Sequence, residues 1–117
     1  MTVRLCVYGL LRKGEPMNHV LGGARHLGDV RLAGFEMHDL GDYPAAVAGE
    51  GSIAADVYEL PSPAVLDVLD EAEGIHRKPP LYTRELVTAL DAPAWLYVWA
   101  GDVPEGRRIE SGDWRSR

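Results

Sequence analysis

The stretch Ser62-Pro63-Ala64-Val65-Leu66-Asp67-Val68-Leu69-Asp70-Glu71-Ala72-Glu73-Gly74 is the best-defined element of the chain. Serine favours the N-cap position, and Pro63 suits the first helical position, where its missing N–H has no intrahelical partner to lose. Gly74 suits the left-handed residue that closes a helix. The spacing therefore predicts a helix from Pro63 to about Glu73. At roughly 100° per residue, with Leu66 as origin, Val68, Ala72, Val65 and Leu69 fall at about 200°, 240°, 260° and 300°. Asp67 and Glu71 land near roughly 100° and 140°, clear of that arc, and Asp70, near about 40°, sits at its edge. Glu73 lands near about 340°, between Leu69 and Leu66. It is the one acid aimed into the apolar face.

Around this helix the chain reads as β-structure. On the N-terminal side, Val3, Leu5 and Val7 alternate with Arg4, Cys6 and Tyr8 as in a strand. Asn18 to Leu21 reads as a short helix. Residues 25–40 alternate as one long strand bent at Gly34, or as two consecutive strands. After a Gly41-Asp42-Tyr43-Pro44 loop, a short strand at 45–48 and a second at 52–60 are separated by a Gly49-Glu50-Gly51 turn. On the C-terminal side, strands at 82–89 and 94–100 flank an Asp91-Ala92-Pro93 turn and form an antiparallel pair. Trp114 is an apolar anchor in an otherwise polar tail. Mostly strands with one solid helix before the last two predicts an α+β fold, its mixed or antiparallel sheet curling into a small barrel.

A carboxylate facing a core is costly unless it is paired, hydrogen-bonded or protonated, and burial raises its pKa toward neutrality. That is where a proton-shuttling base works best. Two readings of Glu73 follow. It is an acid–base catalyst, or the last helical turn twists and leaves it at the surface or paired with Arg84.

A second candidate feature is the turn Tyr8-Gly9-Leu10-Leu11-Arg12 at the end of the first strand. Gly9 can adopt a positive φ, and consecutive N–H groups in such a turn can cradle an anion or a developing oxyanion. The alternative is an ordinary strand-ending turn. It is not a Walker loop, because the glycine spacing and the Gly-Lys-Ser/Thr ending are absent. His19, His26, His38 and His76 lack close metal-ligand spacing, and Ser52 and Ser62 lack a nucleophile-elbow context. Trp95, Tyr97 and Trp99 share one strand face, read as core or pocket wall rather than as a stacking platform for bases.

With 117 residues, the chain has the length of one domain, expected over 1–117, with a core that needs no disulfide or structural metal. Twelve basic against eighteen acidic residues give a net charge of −6, which repels nucleic acid and anionic membranes. The single cysteine, Cys6, excludes an internal disulfide and reads as a core filler. No apolar run approaches the ~20 residues of a membrane helix. Arg4 interrupts the N-terminal run and no signal-cleavage site follows, so a cytoplasmic protein is expected.

Tyr8-Gly9-Leu10-Leu11-Arg12-Lys13-Gly14 with Asn18-His19, Tyr43-Pro44-Ala45, Leu69-Asp70-Glu71-Ala72-Glu73-Gly74 with Tyr82-Thr83-Arg84, and Ser111-Gly112-Asp113-Trp114 together resemble the γ-glutamylcyclotransferase-like family. The resemblance is to its short bacterial and γ-glutamylamine-cyclotransferase branch, and it covers nearly the whole chain in family order. The family's catalytic glutamate falls on Glu73, the residue that helical geometry selects independently. The resemblance implies cleavage of a γ-glutamyl amide to 5-oxoproline and a free amine, without metal or other cofactor. It places substrate against Tyr8, Gly9, Leu10 and Leu11, with Tyr43 and Tyr82 lining the pocket and Arg84 orienting Glu73 or substrate. Leu10 departs from the family's usual Ser or Thr. Two alternatives stay open: a non-catalytic small-metabolite binding module on the same pocket, and a γ-glutamyl amide hydrolase.

Overall fold

The computed structural model describes residues 3–76 and 78–117. The expectation of one domain over 1–117 extends onto residues 1, 2 and 77, which lie outside the described residues. Five strands, β1 (Val3–Val7), β2 (Arg25–Asp39), β3 (Pro44–Leu60), β4 (Tyr82–Ala89) and β5 (Ala92–Trp99), form one sheet in the order β2-β3-β1-β5-β4. β1 pairs antiparallel with β3 and parallel with β5, while β2–β3 and β4–β5 are antiparallel, so the sheet is mixed. One helix, α1 (Pro63–Ala72), connects β3 to β4. Single 3₁₀ turns lie at Asn18–Leu21 and Trp114–Ser116. The α+β expectation with one main helix holds.

Two local expectations change, at the Gly49-Glu50-Gly51 turn and at the last hairpin. Residues 25–39 form one strand, the first of the two expected alternatives, whereas Gly49-Glu50-Gly51 does not reverse the chain as expected. Ala33 pairs with Ser52 and Phe35 with Ala48, so these three residues bulge opposite Gly34 within a continuous β3. A bulge adds residues to one strand and bends the ladder without ending it. The last turn is Leu90-Asp91 rather than Asp91–Pro93. Both residues have positive φ (52° and 62°), the handedness that matches strand twist in a two-residue hairpin, and Ala92 and Pro93 already pair within β5. Ser62 occupies the N-cap as expected, with extended backbone, and makes no side-chain cap bond. Pro63 presents no N–H there, and Val65 N–H donates to the Ser62 carbonyl (3.3 Å).

Strand alternation sends side chains to two clusters. Leu5, Leu60 and Tyr97 face α1, where Leu66 and Leu69 complete one core. Cys6, Val57 and Leu96 face the other side, with Ile53, Met37 and the anchor Trp114 (3% exposed). Leu27 and Val30 of β2 and Val87 of β4 pack against this second cluster, so the sheet curls although β2 and β4 stay its edges. No helix among the described residues is long and apolar enough to cross a membrane.

Candidate active site

The end of α1 decides where Glu73 points. Gly74 N–H donates to the Glu71 carbonyl (3.2 Å) and Ile75 N–H to the Asp70 carbonyl (3.1 Å), with Gly74 at φ 71°. This paired pattern is a Schellman closure, which needs a left-handed residue after the cap and so favours glycine. It leaves Glu73 as the C-cap, held by its own N–H to the Leu69 carbonyl (2.8 Å). Its side chain faces a cavity of about 320 Å³ between α1, the end of β1 and the start of β3. Burial pushes the Glu73 carboxyl up to about 7 from 4.5. No hydrogen bond or ion pair reaches that carboxylate among the described residues, so nothing offsets its desolvation.

The same cavity is lined by Tyr8, Gly9, Leu10, Leu11, Tyr43 and Tyr82, and also by Tyr97. Gly9 is required by crowding rather than by a positive φ. A Cβ there would lie 2.8 Å from Pro44 Cγ and Cδ, so only glycine lets the Tyr43-Pro44 segment close against the first turn. The turn itself is closed by Arg12 N–H to the Gly9 carbonyl (3.1 Å) and Met17 N–H to the Leu10 carbonyl (2.9 Å). The N–H groups of Gly9, Leu10 and Leu11 find no acceptor among the described residues, which leaves three successive donors beside the cavity.

Arg12 pins this turn from behind. Its guanidinium contacts Asp56 of β3 (Nε–Oδ2 3.4 Å) and Asp113 (Nη1–Oδ1 3.1 Å), and Lys13 N–H donates to Asp56 Oδ2 (2.9 Å). Arg12 and Asp56 are both buried. Burial alone would raise the Asp56 carboxyl, but the Lys13 N–H bond and the Arg12 guanidinium outweigh it and hold the carboxyl below its ordinary value. Asp113 also caps the final 3₁₀ turn through Arg115 N–H (2.9 Å). The Ser111–Trp114 block thus braces the cavity turn from a distance.

Arg84 is not among the cavity-lining residues. Its Nε lies 3.1 Å from Asp70 Oδ1 as an ion pair without hydrogen-bond alignment, and its guanidinium sits 4.5 Å over the Trp95 ring. The expected alternative of a Glu73–Arg84 pair is not formed. Asp70, not among the candidate site residues of the sequence, is buried (3% exposed) and accepts from the Tyr97 hydroxyl (2.7 Å). Its position at the edge of the apolar arc, one turn before Glu73, was the available signal. Asp56, an acid inside the apolar run Ile53-Ala54-Ala55-Asp56-Val57, is likewise not among those candidates. Cys6 is a buried core residue that touches the cavity, and burial pushes its thiol up to about 12, far from a reactive thiolate. Among the described residues no group of three or more His, Cys, Asp or Glu side chains is placed to hold a metal ion.

Fold and cavity together define an α+β protein with a small, mostly apolar site built around the Glu73 carboxylate, which has no partner among the described residues. Residues 5–116 match the family described as Gamma-glutamyl cyclotransferase, AIG2-like, and the chain belongs to that family. It is 33% identical over 115 residues to the gamma-glutamylcyclotransferase family protein YtfP of Escherichia coli K12, covering 98% of both chains. The solution structure of ytfP from Escherichia coli superposes with a TM-score of 0.76, at 35% identity and 96% coverage of each chain. The crystal structure of protein PH0828 from Pyrococcus horikoshii superposes with a TM-score of 0.80, at 36% identity, covering 95% of this chain and 88% of that one.

Proposed function

We propose that the protein cleaves a γ-glutamyl amide to 5-oxoproline and a free amine, with Glu73 moving the protons. The observation that carries this reading is the Glu73 carboxyl, pushed up to about 7 in an apolar cavity and without a partner among the described residues. A group titrating there accepts and returns protons at neutral pH. The unbonded N–H groups of Gly9, Leu10 and Leu11 support the placement of the substrate carbonyl and carboxylate in the same cavity. A cavity of about 320 Å³ suits a small metabolite.

In this scheme Glu73 takes a proton from the substrate α-ammonium group, and the freed amine attacks the γ-carbonyl carbon of the same molecule. The new C–N bond closes a five-membered ring. Backbone donors of the Gly9–Leu11 turn stabilise the oxyanion. As the tetrahedral centre collapses, the bond to the departing nitrogen breaks. The attacking nitrogen gives up two protons in all and the departing one gains two, Glu73 being the relay. Holding nucleophile and electrophile in one molecule supplies much of the acceleration through proximity, which fits a site whose lining holds a single carboxylate.

Incubation with a panel of γ-glutamyl amines, read by mass spectrometry, tests the reading. Stoichiometric 5-oxoproline and free amine are expected. Free glutamate in place of 5-oxoproline, with the amine still released, assigns a hydrolase, and tight binding without conversion assigns a binding module, with Leu10 the first position to revert.

A further inference from the structure

Phenols line the cavity around Glu73, yet among the described residues none donates to its carboxylate. Tyr8, Tyr82 and Tyr97 line its cavity from β1's end, β4 and β5, Tyr43 stands at the half-exposed rim, and Cys6 keeps its proton below. A phenol donating to a carboxylate favours its charged form and lowers its pKa. The protons of the three buried phenols, Tyr8, Tyr82 and Tyr97, are committed elsewhere. Tyr8 donates to the Tyr97 carbonyl (2.7 Å), Tyr82 to the Pro44 carbonyl (3.4 Å) and Tyr97 to Asp70 Oδ1 (2.7 Å).

Two of those acceptors are backbone carbonyls fixed by the fold. The third is a side chain, Asp70, three residues before Glu73 on α1. Asp70 is buried, its charge is met by Arg84 at 3.1 Å, and Arg84 is in turn stacked over Trp95. The backbone bonds that close the helix, to the Leu69, Asp70 and Glu71 carbonyls, do not involve the Asp70 side chain. We propose that Asp70 is a positioning residue that captures the Tyr97 phenol proton and so keeps Glu73 free of hydrogen-bond donors in the cavity. Burial pushes the Tyr97 phenol above its ordinary value, with the Asp70 bond and the Glu73 charge adding to it, so this phenol lies within the field of both carboxylates. Asp70 and Glu73 thereby divide the work. One is paired and holds a donor in place, and the other is left unpaired and available to substrate.

The inference rests on the proton-relay role proposed for Glu73, but its test does not need turnover. The side-chain carboxyl of Glu73 is titrated by ¹³C NMR in the wild type, Asp70→Ala, Tyr97→Phe and the double variant, with the rising limb of kcat/KM measured alongside. Asp70→Ala releases Tyr97 and is expected to lower the Glu73 titration from about 7 by roughly one pH unit or more. Adding Tyr97→Phe removes the donor and is expected to restore the wild-type value, a rescue that a merely structural role for Asp70 does not produce. Tyr97→Phe alone is expected to leave Glu73 near its wild-type value. An unchanged titration in Asp70→Ala overturns the proposal, as does a lowered one that Tyr97→Phe fails to restore, which would transfer the effect to Arg84. Should Asp70→Ala not fold, a rise in the Glu73 titration in Tyr97→Phe overturns it independently, by showing that the phenol already bonds Glu73. Failure of the wild type to form 5-oxoproline overturns the functional reading instead, with the titrations still deciding the role of Asp70.

Discussion

Replacing Glu73 by Gln should make the protein more stable, and by an amount that depends on pH. Glutamine keeps the shape of the side chain and removes the charge that the cavity penalises. An acid whose folded pKa is raised favours the protonated native state, so its contribution is fully present below the unfolded value of 4.5 and is lost as pH rises through about 7. The span from 4.5 to about 7, at 1.36 kcal/mol per pH unit, sets a ceiling of roughly 3 kcal/mol on the penalty carried by wild type above neutrality. Glu73 keeps partial solvent access, which lowers the expected figure to about 1–3 kcal/mol. The assay is urea unfolding of wild type and Glu73→Gln at pH 5 and pH 8.5. Titration of every other group cancels in the difference between the two proteins. The advantage of the variant should widen by about 2 kcal/mol from the lower to the higher pH, because at pH 5 most of the penalty has not yet developed. An advantage that stays flat, or that shrinks as pH rises, would refute a desolvated Glu73.

Gly9→Ala places a Cβ 2.8 Å from Pro44, and the Tyr43-Pro44 wall must move to admit it. Turnover should fall at least tenfold with the fold retained by circular dichroism, and unchanged kinetics would show that this approach is not needed. Asp56→Asn leaves the buried Arg12 guanidinium short of a counter-charge and should cost about 3 kcal/mol in chemical denaturation; a loss under 1 kcal/mol would mean that Asp113 alone suffices. The Asp56 contribution belongs to a lowered carboxyl, so it is present above 3.8 and fades as pH falls through the folded value. The kcat/KM of the wild type should climb with pH and level off above about 7 as the Glu73 carboxylate forms. A rising limb at 4–5 would instead assign the proton transfer to an unburied group.

The helix and its terminal glutamate were legible because an apolar arc, a proline at the start and a glycine at the end are local signals. The same angles placed Glu73 in the arc and Asp70 at its margin. The angles do not tell which acid meets a partner, because Arg84 and Tyr97 arrive from strands that follow the helix in the chain. The strands were legible from alternation, but continuity of β3 through Gly49-Glu50-Gly51 was not. Two glycines in three residues mark both a turn and a bulge, and only the pairing with β2 separates them. Gly9 was singled out for a freedom of φ that the fold does not use; the proximity of Pro44 is a tertiary fact without a local signature. The Arg12–Asp56–Asp113 brace joins residues up to 101 positions apart, and nothing local announces it.

The central claim is that Glu73 relays protons in cyclising a γ-glutamyl amide, and it is tested most directly by comparing wild type with Glu73→Gln on one panel of γ-glutamyl amines. Formation of 5-oxoproline and binding of unreacted substrate are measured together. The variant is expected to fold and bind while 5-oxoproline formation falls by at least about a hundredfold, the contribution of a positioned proton carrier. Undiminished 5-oxoproline formation by Glu73→Gln would contradict the claim and move the chemistry to another group in the cavity.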